Sequence, residues 1–274
     1  MIKAELSLRD VLSSLPADHP ERAELEEEVQ RFEERNALRK LAELQEAEAP
    51  ERVLEVLETA RQRYGDMYEA VAVPTVTLRE TTRYPEGWVP LNPWFFQKLQ
   101  EGRIKPETAA TISEAWVLWD KTARPNYDGG RQLYGNGNDP LGEELAHLRS
   151  QGAVEVPSHT KHVPATSRFG LSANEVDGSF LPLHAQSLGL RADLGERAMT
   201  RPYALFNVIG NMRHPEAGQV NTWEWMDEKF GDDDRLLGGD SDDGGLGDVD
   251  RSWAGSHNVS VGFSPAIVLP PQAA

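Results

Sequence analysis

The chain has 274 residues, 39% of them hydrophobic and including 7 Trp, 8 Phe and 6 Tyr, which is enough apolar material to bury a sizeable core. Its formal net charge of −17 repels polyanions and argues against nucleic acid as a partner. It contains no cysteine, so disulfides, thiolate metal sites and cysteine nucleophiles are excluded.

No run is long enough for a membrane span, and the start, Met1-Ile2-Lys3-Ala4-Glu5, lacks the apolar stretch of a signal peptide. The expectation is a chain made in the cytoplasm and kept there, or displayed on a phage or cell surface without a recognisable leader. Abundant Arg and Glu with prolines in the connections fit a thermophile's protein.

Residues 1 to about 72 read as a helical N-terminal segment. Asp18 before Pro20 is a start signal; Leu25, Val29 and Phe32 recur at helical spacing, and Leu38, Leu41 and Leu44 continue the stripe until Pro50 breaks it. A second helix follows, with Val53, Val56, Leu57, Ala60, Tyr64, Met67, Tyr68 and Val71 on one side. No heptad register persists, so a hairpin packed on the next domain is expected rather than a coiled coil.

Composition shifts near Val73, where Val73-Pro74-Thr75-Val76-Thr77-Leu78 predicts a strand entering a second domain, 73–274. A short helix is predicted after Pro93, another over Pro106–Asp120 and a third over Leu141–Leu148; beyond it, short strands and loops are expected up to Leu269. The fold class expected is α+β.

Three pieces follow near the C-terminus: Ala204-Leu205-Phe206-Asn207-Val208-Ile209-Gly210-Asn211, then Val220-Asn221-Thr222-Trp223-Glu224-Trp225, then Arg235-Leu236-Leu237-Gly238-Gly239-Asp240-Ser241, closing with Asn258-Val259-Ser260-Val261-Gly262-Phe263-Ser264-Pro265-Ala266. On a strand, Trp223 and Trp225 share one face and Glu224 takes the other. Val259, Val261 and Phe263 alternate as in a core strand.

This order resembles the formylglycine-generating-enzyme-like branch of the C-type lectin fold, over roughly residues 200 to 268. That branch typically shows an aromatic-Asn/Asp-x-x-Gly-Asn turn, a Trp-Glu-Trp strand, an Arg-x-x-x-Gly-Gly turn and a terminal Gly-Phe-Arg. Two departures stand out: an insertion at about Met212 to Gln219, and Ser264 where the arginine is usual.

Formylglycine generation needs the cysteines this chain lacks. The sulfoxide synthases of the fold rely on a histidine cluster, and here only His159 and His162 lie close in sequence. No nucleophile elbow, phosphate loop or zinc-protease motif occurs.

The non-enzymatic relatives are the variable proteins of diversity-generating retroelements, whose C-terminal variable region binds ligands. Their variable codons descend from Asn codons by adenine changes, which reach Asp, Ser, His, Ala, Val, Leu and Gly but not Glu, Gln, Lys, Met or Trp. Residues 240–264 contain no Glu, Gln, Lys or Met.

The resemblance thus implies a ligand-binding protein, not an enzyme, with a variable region at about 220–264. Asp240, Asp242, Asp243, Leu246, Asp248, Val249, Ala254, Ser256 and His257 would point outward to a protein ligand of basic or amide-rich surface. Trp223, Trp225, Gly238, Gly239, Arg251, Trp253, Asn258, Gly262 and Phe263 would hold the backbone.

No cofactor is expected, although some relatives hold calcium at positions matching Asn207, Gly210 and Glu224; the alternative for Glu224 is to accept hydrogen bonds without a metal. The competing functions are a metalloenzyme of the formylglycine-generating-like or sulfoxide-synthase-like kind, or a structural phage or surface domain. Oligomeric state and ligand identity are left open by the sequence.

Overall fold

The computed structural model describes residues 11–13, 15–16, 18–29, 32 and 48–271. Residues 22–29 are helical, with Val29 buried; Leu38, Leu41 and Leu44 lie outside the described residues. No helix of the described residues is long and apolar enough to cross a membrane.

Helix α1 (Glu51–Tyr64) follows Pro50 and ends at Gly65, whose positive φ of 62° breaks the helical path. The apolar stripe predicted to run on as helix to Val71 instead turns into β1 (Tyr68–Val73). Val53, Val56 and Ala60 of α1 share one core with Leu118, Val261 and Ile267. A boundary at 72/73 therefore cuts a strand, and α1 belongs to the body of the domain.

The main sheet is antiparallel, in the order β1, β5 (Ala115–Asp120), β11 (Pro265–Leu269), β6 (Arg197–Thr200). The helix predicted over Pro106–Asp120 is not formed. Its second half is β5, the strand flanked by β1 and β11, and its first half holds only the short strand β4 (Thr111–Ile112), with β3 (Ile104–Lys105) just before it.

The reason is burial on both faces. Val117 and Trp119 enter one core and Leu118 the other, so the strand reads as an unbroken apolar run and not as an alternation. β4 pairs with β2 (Val76–Thr77), the strand predicted after Val73.

The second sheet runs β10 (Val261–Gly262), β7 (Trp223–Phe230), β8 (Asp234–Gly238), β9 (Val249–Trp253), with β10 parallel to β7 and β3 on the far end of β7. Met226 and Leu236 feed the core around Trp119; Trp225, Leu237 and Val261 feed the core around α1. Helix and strand are mixed in an α+β arrangement with a curled, half-barrel sheet.

Helix α2 (Pro93–Gln100) starts where predicted: Asn92 caps it by accepting from the Trp94 amide, and Pro93 fills the first helical position. Helix α3 (Gly142–Ser150) also matches its prediction.

The second half is less loop-like than expected. Ala173–Glu175, a π-helical stretch Val176–Phe180 and α4 (Leu181–Ser187) run on continuously, and α5 (Tyr203–Arg213) stands where a turn was expected. All residues from Tyr203 to Gly210 are buried, so no polar face marks the helix in the sequence.

Candidate binding surface

β8 and β9 pair from Asp234–Trp253 to Gly238–Val249, and the segment 239–248 joins them. Gly238 and Gly239 make that junction possible. A β-carbon on Gly238 would meet the Asp248 carbonyl oxygen at 2.6 Å, and Gly239 has a φ of 95°.

This segment divides into an inner clasp and an outer edge. In the clasp, Leu246 is 3% exposed and lies on Gly210 of α5. Asn207 Nδ2 donates to the Leu246 and Val89 carbonyls at 2.9 Å each, and the Tyr203 hydroxyl donates to the Gly247 carbonyl at 2.7 Å. Asp240 accepts from the Asp242 amide, and the Asp240 amide donates to Asp248 Oδ2 at 3.0 Å. Burial pushes the Asp248 carboxyl up to about 7, aided by the charges of Asp243, Asp240 and Asp250 and opposed by the Asp240 N–H.

Four of the nine residues expected to face outward are thus buried: Asp240, Leu246, Asp248 and Val249. The two aspartates close the turn, Leu246 fills the contact with α5, and Val249 joins the core beside Leu236. Asp242 and Asp243 are exposed, while Ala254, Ser256 and His257 are half-buried at the surface. His257 Nε2 sits 2.8 Å from Glu175 Oε2, whose carboxylate also closes the capping box on Ser172.

The opposite correction applies to Trp253. Assigned to the framework, it is 61% exposed, at the end of β9, which is an edge of the sheet. Its indole lies across Gly255, where a β-carbon would come within 2.5 Å of the ring. Asp234 pairs with it in the ladder, and the Ala254 amide donates to the Asp233 carbonyl at 2.9 Å, so the exposed Asp232 and Asp233 sit beside it. Asp250, on the same strand, is also exposed.

Arg251 pairs with Asp234 and places its guanidinium 4.8 Å from the Phe230 ring centre, as a framework residue would. Of the other expected framework residues, Trp225, Gly262 and Phe263 are buried and Trp223 packs on the same core as Trp225. Asn258 holds the turn that follows, its Oδ1 accepting from the Ser260 amide and hydroxyl at 2.9 Å.

Tyr127, 46% exposed, was not anticipated. Its amide donates to Asn221 Oδ1, next to Val220, whose carbonyl accepts from the Ser241 amide. Nothing local in Asn126-Tyr127-Asp128 announces that proximity, because it is made by residues about 95 positions away.

Of the three positions matched to calcium ligands in relatives, Glu224 is engaged by protein donors, whereas Asn207 is held through its Nδ2 alone and its buried Oδ1 has no partner among the described residues. Asn207 and Gly210 hold the clasp, while Glu224 Oε1 accepts from the Tyr134 and Ser264 hydroxyls and Oε2 accepts from Arg201 at 3.1 Å. Burial alone would raise the Glu224 carboxyl, but Arg201, then Arg124, and the two hydroxyls outweigh it and hold it at about 2. The Arg201 guanidinium stands against Glu224, which accepts hydrogen bonds, and Ser264, at the position where the resemblance implies an arginine, is one of its hydroxyl donors. Among the described residues no group of three or more His, Asp or Glu is placed to hold a metal ion.

No family model, curated protein or solved structure matches the chain.

Proposed function

We propose that this chain is a binding protein of C-type lectin fold, similar to the variable proteins of diversity-generating retroelements, and not a catalyst. It recognises a protein ligand through the outer edge of its C-terminal segment. The observation that carries this reading is the exposure of Trp253 on a sheet-edge strand, beside the exposed acids Asp232 and Asp233. A large aromatic displayed on a rigid strand costs little ordering entropy on binding, and tryptophan is the side chain most enriched among interface anchors.

The acidic surround complements a basic protein surface, whose Lys or Arg could lie on the indole face. Tryptophan cannot be reached from an Asn codon by adenine changes, so Trp253 is a constant anchor. Diversity belongs at Asp242, Asp243, Ala254, Ser256 and His257. Asp240, Leu246, Asp248 and Val249 leave the variable set, because they are buried and varying them would open the turn and its clasp on α5.

The test is genomic. A neighbouring reverse transcriptase and a near-copy of the 240–264 coding sequence are expected, differing at adenine positions in the codons of the surface residues. Absence of any such copy, or differences spread equally over the buried codons, would remove diversification from the reading.

A further inference from the structure

β6 is an edge strand: β11 pairs along one side of it, and no strand of the described residues pairs along the other. Just past its end, the Arg201 carbonyl accepts from the Asp227 amide of β7 at 3.1 Å. Along a strand the amide and carbonyl of successive residues face alternate sides. Those of Met199 and Arg197 therefore point as Arg201 does, toward β7, while Thr200 and Ala198 turn to β11. On the β7 side Met199 and Arg197 form no backbone hydrogen bond among the described residues. Beyond the Arg201–Asp227 bond the two strands part, and a groove of about 630 Å³ opens there. It is lined by Ala198 and Met199 of β6, Asp227 and Lys229 of β7, and Leu181 and Ala185 of α4. The Arg197 side chain lies along its own strand, its Nε donating to Met199 Sδ at 3.4 Å.

A bare strand edge presents donors and acceptors in the repeat of an extended main chain, and sheet edges take up peptides by adding them as a strand. At about 3.3 Å per residue, the four residues of β6 match about four residues of such a peptide. The side chains narrow the choice. Acidic and basic residues lining the groove are equal in number, four of each, with Lys105 already holding Glu107 and Arg235 holding Asp177. Unlike the acidic Trp253 edge, this groove offers no net charge for a charged partner to match, and its apolar part is Leu181, Ala185, Ala198 and Met199. We propose that the outer edge of β6 takes up an extended, uncharged segment of a partner protein as an added strand. The main chain of that segment bonds the amides and carbonyls of Arg197 and Met199, and its alternate apolar side chains lie on Leu181 and Ala185. This proposal does not rest on the retroelement reading.

The test is amide hydrogen exchange and calorimetric titration of the full chain. The probes are acetylated, amidated hexapeptides that alternate serine with valine or with leucine. In the free chain the Arg197 and Met199 amides should exchange at least about tenfold faster than those of Ala198 and Thr200, and a bound peptide should slow them. N-methylating the apolar residues' amides and the serine amides in turn should weaken binding by about tenfold or more in at least one of the two patterns, since one of them faces β6. Met199→Pro removes an outward N–H, so it should cost less Tm than Ala198→Pro, which breaks the β11 ladder, and should weaken the peptide by about tenfold. If Met199→Pro fails to fold, its amide is not free and the proposal falls. It is equally overturned by four β6 amides of equal protection, by no binding of either peptide, or by binding that neither N-methylation pattern weakens. Protection of the Arg197 and Met199 amides that grows with protein concentration alone would give the edge to a second copy and overturn it as well.

Discussion

Leu246 lies on Gly210: a β-carbon at position 210 would come within 2.5 Å of Leu246 Cδ2 and 3.4 Å of its Cγ. The contact joins α5 to the β8–β9 connection, and Asn207, one turn earlier on the same helix, ties the Leu246 carbonyl in place.

Gly210→Ala sets two effects against each other. Alanine favours the helix by about 1 kcal/mol, while overpacking a closed contact costs about 1–3 kcal/mol. Leu246 cannot swing away, since it is buried and its carbonyl is held, so the clash wins. The expected outcome is a net loss of up to about 2 kcal/mol in urea unfolding. Leu246→Ala should cost about 2–5 kcal/mol. A Leu246→Ala variant as stable as the wild type would return that position to the free surface.

Glu224→Gln keeps the shape and can still bond Tyr134 and Ser264, but it leaves the buried Arg201 without its counter-charge. Removing one member of a buried pair typically costs about 3–5 kcal/mol, so the variant should unfold at much lower denaturant. With a guanidinium already at the carboxylate, neither EDTA nor added calcium should move the wild-type Tm. A calcium-dependent rise abolished in Glu224→Gln would reinstate the metal site.

Stability should fall as pH rises from about 5 to 8.5. Burial, then the charge of Asp227, lifts Glu228 to about 8 against the lowering N–H of Tyr203, and Asp248 sits at about 7. Below the ordinary values of 3.8 and 4.5 both groups are protonated folded and unfolded, and neither costs anything. Above the folded values the native state bears the full cost of ionising them, roughly 1.4 kcal/mol for each tenfold change in acidity on folding. Glu224 acts oppositely: its contribution is present above 4.5 and is lost as pH falls toward about 2. Urea midpoints across this range check the sign, and Asp248→Asn with Glu228→Gln should flatten the alkaline decline.

Trp253→Ala should change folding stability by no more than about 0.5 kcal/mol, as expected of an exposed side chain. It should remove much of the acrylamide-quenchable tryptophan emission, because none of the other six tryptophans is exposed. Strong quenching that persists in the variant would mean Trp253 is covered in solution.

Local signals carried what depends on near neighbours. Asn92-Pro93 marked α2, Trp223-Glu224-Trp225 marked a strand with its rings on one side, and Arg251 pairs a carboxylate as its type led one to expect. The elements misread are those covered on every side. β5 and α5 lack a polar face, and without one a helix and a strand of the same apolar residues look alike.

Composition, the absence of cysteine and the order of glycines and tryptophans are properties of the sequence by itself; they determined which chemistries are closed to this chain and marked the Gly238-Gly239 turn, though not the helix at Gly210. Which side chains of 240–257 reach solvent was decided only by the tertiary structure. Asp240, Leu246 and Asp248 use the same residue types as a solvated loop, yet α5 and Gly210 draw them inward, whereas Trp253, apolar enough for a core, ends on an edge strand that nothing covers among the described residues. Burial is settled by what packs opposite, and the partner is often about 40 residues or more away, as Asn207 and Leu246 are.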